Sequence, residues 1–435
     1  GMAIADKINK TDSHVFCLCS DGDLMEGVAQ ESIAFAGRYN LNNLVLLWAD
    51  NGLSIDGDAQ TDVDVMTRMQ AAGWRCYSVV ADEFGKLNRI LSGVGQGNGP
   101  IFVQCKTVLG AGSSLAGMPR AHGFALDDTE LMQLMQNNIS VHGEHLWSMV
   151  ANGATSVVPV GRLSDVPNVS LPVVGNAISM RELSGIYLQE LIRAGTDIVG
   201  GSADLGGSTN VKSGLSRAIT YDDFSGNYIN FGVREHAMAA ILNGMSASGL
   251  RVFGSTFLVF SDYMRASMRL AAMSGLPVVY VLTHDSVAVG EDGPTHQPIE
   301  QLPSLRLMPN MNVFRPCNGV EVAYAWRRAL GEQNRPTCIV LSRQSVRLVD
   351  APLGADLSRG AYVIQYAKTS RVRATILATG AEVSLAIDVA EKLGGAVQVV
   401  SVVNVADFRA QSAEYKKQLK EYKNRINCVR ICLDR

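Results

Sequence analysis

No apolar run in the chain approaches the roughly 20 residues that a membrane-spanning helix needs, so no membrane segment is expected. Basic charge is not in excess either. Lys and Arg number 38 against 41 Asp and Glu, a net −3, with no basic stripe or tail. That argues against nucleic acid as a standing partner and leaves local phosphate sites open. The eight cysteines (Cys17, Cys19, Cys76, Cys105, Cys317, Cys338, Cys428, Cys432) include no Cys-x-x-Cys pair and fall mostly in apolar, strand-like runs. Buried reduced thiols in a cytoplasmic protein are therefore expected. No short-period repeat is present, which excludes a solenoid. The opening Gly-Met-Ala-Ile-Ala-Asp-Lys lacks the charged and apolar regions of a secretory signal and reads as the middle of a helix. The closing segment reads as a strand with nothing after it, so both ends look cut.

What is present suits an α/β enzyme. At 435 residues the chain is too long for one core, and 47% hydrophobic residues, 18% charged residues and 42 glycines are ordinary for that class. Short β-branched runs alternate with helical stretches: strands at 15–20, 44–49, 75–80 and 101–105, and helices at 24–39 and 61–72. Such alternation predicts a parallel sheet covered by helices. The rhythm is lost near 147–176, where turn-forming residues mark a linker. A second block follows with strands at 197–200, 228–231, 251–255, 277–283, 312–314 and 337–341, and a third opens with strands at 374–378 and 397–403. The expected organisation is three consecutive α/β domains with mainly parallel sheets, at 1–150, 178–350 and 351–435, with a linker at 151–177.

The first chemical signal is Ser20-Asp21-Gly22-Asp23-Leu24-Met25-Glu26-Gly27, joined thirty residues on by Asp50-Asn51-Gly52-Leu53. Asp21 and Asn51 each follow a predicted strand, and loops at the carboxyl ends of parallel strands face one site. A carboxylate, an amide oxygen and a backbone carbonyl suit Mg²⁺ or another hard cation. Gly22 lets a ligand approach the backbone, and the following helix start favours an anion. Asp-Gly and Asn-Gly are also common turn pairs, with Asp23 acceptable as a first-turn acid.

A second signal is Phe231-Gly232-Val233-Arg234-Glu235-His236-Ala237, where a strand passes into a strongly apolar helix. Glu235 can be a first-turn acid favoured by the helix dipole, or a buried carboxyl kept protonated to donate a hydrogen bond. Phe257, Phe260 and Tyr263 are spaced by three, which fits a helical core stripe or an aromatic wall for a flat heterocycle. His284 and His296 bracket a polar loop after an apolar strand, and His122 follows a glycine-rich loop. Imidazoles so placed can bind hydroxyls and shuttle protons. Their spacing matches no common zinc pattern. His14, His142 and His145 carry no motif and are expected at the surface.

Arg-Glu-His-Ala, Gly-Ser-Ala-Asp-Leu, Thr-Phe-Leu-Val-Phe and Gly-Glu-Asp-Gly-Pro-Thr-His-Gln-Pro occur in the order in which they stand in transketolases, and the chain resembles that family over essentially its whole length. Asp21-Gly22-Asp23 with Asn51 is similar to the family's thiamine diphosphate motif, with Ser20 where glycine is usual.

The resemblance implies transfer of a two-carbon ketol unit between sugar phosphates through the C2 carbanion of thiamine diphosphate. It implies Mg²⁺ (Ca²⁺ or Mn²⁺ being possible) on Asp21, Asn51 and Leu53. Gly22, Asp23 and Glu26 would lie with the cofactor. Glu235 would bond the aminopyrimidine, and Phe257, Phe260 and Tyr263 would line its pocket. His122, His284, His296 and Asp292 would face the sugar, with Arg181, Ser208 and Arg343 on its phosphate. Asp204 and Glu26 would be structural acids near a dimer interface that shares the active sites. Among related thiamine enzymes, the Arg-Glu-His and Thr-His-Gln-Pro segments favour transketolase over a deoxyxylulose-phosphate synthase, a dihydroxyacetone-type synthase shares much of the core, and a silent binding subunit is the rival from outside catalysis.

Overall fold

The computed structural model describes residues 1–61, 64–80, 82–123, 125–134, 136, 166–171, 175, 177–369, 372–419 and the strand Val429–Ile431. His142, His145, Cys428, Cys432 and most of the expected linker lie outside the described residues. The chain divides into two compact units, one built from Met2–Val158 with Thr220–Phe224, the other from Gly1, Pro159–Ile219 and Ser225–Arg435.

The first unit holds a four-stranded parallel sheet in the order Val15–Cys19, Leu44–Asp50, Ile101–Lys106, Arg75–Val80. Its inner strands are rich in Val, Leu and Ile, as a sheet covered on its faces requires. Val45, Val79, Ile101 and Val103 form a core there. The strand Val15–Cys19 is an edge, and Phe16 and Leu18 are exposed on it. Cys17 is exposed as well, against the expectation of buried thiols, which Cys19, Cys317 and Cys338 meet.

The helix expected over 24–39 is two helices, Asp21–Met25 and Gly27–Arg38. Glu26 breaks them apart with extended backbone (φ −63°, ψ 136°). The cause is local. Ser20 caps the first helix, with Ser20 N and Oγ both donating to Asp23 Oδ2 at 2.8 Å. That five-residue helix ends at Met25, and a new one starts at Gly27.

In the second unit six parallel strands run in the order Asn312–Phe314, Thr337–Leu341, Val279–Thr283, Val252–Phe257, Val199–Ser202, Tyr228–Asn230. Helices Met180–Arg193 and Gly319–Gly331 pack together, and Trp326, fully buried, donates from Nε1 to Ser184 Oγ at 2.8 Å. A further sheet has the order Ala361–Gln365, Val397–Val402, Ala374–Ala378, Val429–Ile431. Its edge strand Ala361–Gln365 is antiparallel and was not expected from the sequence. One hydrophobic cluster runs through both sheets, including Phe253, Val281 and Trp326 with Ile376, Ala386 and Val399.

Candidate active site

In the first unit the loops after Cys19 and after Asp50 leave the carboxyl ends of neighbouring parallel strands, which brings Asp21 to Asn51. Asp21 is 1% exposed. Its Oδ2 accepts from Asn51 N at 3.3 Å, while its Oδ1 is buried without a hydrogen-bond donor among the described residues. Burial pushes the Asp21 carboxyl up from its usual range, and the bond from Asn51 N opposes this. Asn51 Oδ1 accepts from Leu53 N at 3.0 Å across Gly52, whose φ of +69° gives the tight turn.

A buried carboxylate oxygen lacking a donor is costly, and a hard cation satisfies it. The residues present therefore fit a divalent metal. A Cβ placed on Gly22 would meet nothing nearer than Ser20 Oγ at 3.8 Å, so the backbone there is open to a ligand. Ser20 itself has φ −96°, which a serine adopts without strain where the family has glycine. The Asp23 carboxylate is held back by Ser20, and Glu26 is exposed between the two helices with no cap hydrogen bond from its side chain. The turn Pro119–His122 lies near Leu53–Ser54 and carries an exposed His122. His122 Nδ1 is 3.2 Å from Pro119 O, so Nδ1 carries the proton and Nε2 is left as acceptor in the neutral ring.

In the second unit Glu235 opens the helix Glu235–Ala247 and is 9% exposed. That helix packs on Ser261–Met273, with Asn243 Nδ2 donating to Ser267 O at 2.8 Å. The three aromatic residues do not share one helix. Phe257 ends a strand, Phe260 lies in the turn Leu258–Phe260, and Tyr263 is exposed on the helix Ser261–Met273.

This bend in the chain gathers the rings around the histidines. Phe257 stacks on His284 at 3.6 Å between centroids and on Phe260 at 6.0 Å. His296 stands edge-on to Phe260 at 5.2 Å and to Phe257 at 6.0 Å. Thr283 Oγ1 lies 2.8 Å from His284 Nδ1, and Thr295 Oγ1 lies 2.9 Å from His296 Nδ1.

The arginines reach the same cluster. Met180 N and Arg181 N donate to Ser342 Oγ at 3.1 Å and Ser342 O at 3.3 Å, which sets Arg181 beside the Arg343 loop. Arg181 Nη1 donates to Ser208 O at 2.5 Å, and Arg343 Nε is 4.0 Å from Asp292 Oδ2. Asp204, nearby in sequence, is exposed with φ +63°. Burial, and then the charges of Arg181, Arg343 and His296, push the His284 pKa down to about 3. His284 is thus a neutral imidazole facing a cationic pocket.

Two residues here were missed by sequence reasoning. Asp285, next to His284, accepts from Arg315 Nε at 2.8 Å, and both are buried. Asp285 stood inside the noted loop, but nothing in the sequence pairs it with an arginine thirty positions on.

Family models match along this frame. The transketolase thiamine diphosphate binding domain matches residues 3–147, the transketolase pyrimidine binding domain 176–349, and the transketolase-like C-terminal domain 360–430. The chain belongs to the transketolase family. It is 36% identical to a transketolase of Bacillus subtilis (strain 168), over 96% of this chain and 72% of that protein. Among solved structures it superposes on the Leishmania mexicana transketolase with a TM-score of 0.82, at 32% identity over 98% of this chain and 71% of that one. A Pichia stipitis transketolase in complex with xylulose 5-phosphate gives a TM-score of 0.82 at 31% identity, over 98% and 72% of the two chains.

The chain is therefore a ketol-transferring enzyme that binds thiamine diphosphate, and its fold is the mainly parallel α/β architecture of its relatives. Among the described residues no helix is long and apolar enough to cross a membrane.

Proposed function

We propose that this transketolase moves a ketol unit from a ketose phosphate such as xylulose 5-phosphate to an aldose phosphate such as ribose 5-phosphate, in the pentose phosphate pathway of the cytoplasm. The observation that carries the substrate reading is the gathering of His284, His296 and Asp292 with Arg181 and Arg343. Two guanidiniums beside the imidazoles of His284 and His296 suit one end of a sugar phosphate that is anionic and another that is rich in hydroxyls. The phosphate would lie on Arg181, Arg343 and Ser208, and the hydroxyls on His284, His296 and Asp292. His122, with Nε2 as acceptor, would take a proton at the reacting end.

Bound thiamine diphosphate supplies an electron sink for the cleaved carbon–carbon bond. Its diphosphate and Mg²⁺ would be held by Asp21, Asn51 and Leu53, with Gly22, Asp23 and Glu26 alongside. The Asp21 oxygen without a donor among the described residues supports the metal. Glu235 would hold a proton against the pyrimidine, and Phe257, Phe260 and Tyr263 would flank that ring. We divide the chain at 1–150, 178–350 and 351–435, and read the working form as a homodimer with active sites at the subunit interface.

The test is a coupled assay with xylulose 5-phosphate as donor and ribose 5-phosphate as acceptor, at saturating thiamine diphosphate and Mg²⁺. Release of glyceraldehyde 3-phosphate is expected to require ribose 5-phosphate. Turnover with formaldehyde in its place, and none with ribose 5-phosphate, would move the reading to a dihydroxyacetone-type synthase.

A further inference from the structure

His284 follows the strand Val279–Thr283 with φ +59°, in the left-handed region that residues with side chains populate sparsely. Its ring is held by the stack on Phe257 and by Thr283. The backbone after it is held by something else. Asp285 receives Arg315 Nε, and Arg315 Nη1 also donates to Thr379 O at 2.9 Å and to the Glu382 carboxylate. Arg315 is fixed by its own backbone too. Arg315 N donates to Val403 O at 3.0 Å, and Arg315 O accepts from Gly380 N at 3.1 Å. Gly380 lies against the arginine at φ +60°, where an added Cβ would come within 2.8 Å of Arg315 Cγ.

Thr379, Gly380, Glu382 and Val403 belong to the stretch matched by the C-terminal domain, which carries none of the residues assigned to catalysis. Yet they form a chain of contacts ending on the residue beside the strained histidine. A buried aspartate–arginine pair is weak grounds for stability by itself, because desolvation offsets much of the attraction. Its placement against a left-handed histidine gives it a different use.

We propose that Asp285, clamped by Arg315 and through it by Thr379 and Glu382, is a positioning residue that holds His284 in its left-handed conformation against Phe257. The C-terminal segment thereby sets the position of the imidazole that faces the sugar. This rests on the reading of His284 as a substrate-binding residue.

The experiment uses the full chain, with His284→Ala, Asp285→Asn, their double variant and Glu382→Gln. Two measurements are made: kcat/KM for the ketose phosphate donor, and the ¹³C-histidine NMR spectrum of the ligand-free protein. His284→Ala identifies the His284 signal among the seven histidines. In the wild type that signal stays still between about pH 5.5 and 7.5, because the ring remains neutral.

Asp285→Asn is expected to make the signal titrate in that window as the ring leaves its stack. It is expected to lower kcat/KM by about tenfold in the wild-type background and by less than about twofold in the His284→Ala background. Glu382→Gln, altered at a side chain only 26% exposed but not at the arginine itself, should move the same signal with a smaller kinetic loss. It decides the matter by NMR if Asp285→Asn does not fold. A His284 signal that stays pH-silent in the variants, or equal losses in both backgrounds, overturns the clamp. Wild-type kcat/KM in His284→Ala would remove the substrate role of His284, and the NMR signal alone would then decide the positioning.

Discussion

Asp21 and Glu235 are both carboxylates that the fold buries, and burial alone cannot distinguish their uses. Their surroundings can. Asp21 leaves one oxygen without a donor among the described residues, close to the Asn51 backbone, which suits a cation, whereas Glu235 opens an apolar helix in the unit that carries the aromatic and histidine residues. The two should fail differently. Asp21→Ala is expected to weaken thiamine diphosphate binding by about tenfold or more, with part of the loss recovered at high Mg²⁺. Glu235→Gln should leave the Kd for thiamine diphosphate within about threefold while turnover falls by at least about 100-fold. Calorimetric titration with and without Mg²⁺, read beside kcat, separates these outcomes. Full turnover in Glu235→Gln at saturating cofactor would show that the assignment of Glu235 is wrong. At this scale the sequence is legible wherever a motif is contiguous, as around Asp21 or Glu235. Asp285 and Arg315 were invisible because their pairing exists only after two distant strand ends meet.

At the scale of elements, the helix Gly319–Gly331 ties the six-stranded sheet to its neighbour through one buried acid. Asn318 Oδ1 caps the helix by accepting from Glu321 N at 2.9 Å. The Glu321 carboxylate accepts from Cys317 N at 2.7 Å, Tyr362 OH at 2.8 Å and Ser401 Oγ at 2.6 Å. Tyr362 and Ser401 lie on the antiparallel pair of strands in the second sheet. Burial pushes the Glu321 carboxyl up, and these three donors pull it back. Glu321→Ala would strand three buried donors at once and is expected to cost about 3 kcal/mol, against about 1 kcal/mol for Ser401→Ala. Thermal unfolding of both variants is the check, and an unchanged Tm in Glu321→Ala would refute the account. The parallel strands were readable because β-branched runs recur between helical stretches. The strand Ala361–Gln365 was not, since it is a short edge whose partner, Val397–Val402, is already satisfied as a parallel strand on its other side. The helix break at Glu26 also escaped, because hydrophobic spacing does not register a single extended residue between two helices.

At the scale of the whole molecule, the assigned residues fall in two sets. Asp21, Asn51, Leu53 and His122 lie in the unit matched by the diphosphate domain, and Glu235 and the histidine–arginine cluster lie in the unit matched by the pyrimidine domain. If, as proposed, each active site takes its diphosphate half from one copy and its pyrimidine half from another, two impaired variants can repair each other at a thiamine diphosphate concentration too low to load Asp21→Ala. A dimer of Asp21→Ala with Glu235→Gln would then contain one site with both defects and one with neither. Equal mixing and re-assortment make about half of the dimers mixed, so about a quarter of the wild-type sites should be intact. Sites built within single chains would give no recovery, because every chain carries one defect. The mixture is therefore expected to regain about a quarter of wild-type turnover after re-equilibration, and sedimentation of the wild type should give a dimer. Recovery must also track the exchange of subunits: none at the instant of mixing, then a rise to a plateau. A mixture that stays inactive while labelled subunits demonstrably exchange would rule out the shared site and leave the homodimer, if present, without a catalytic reason.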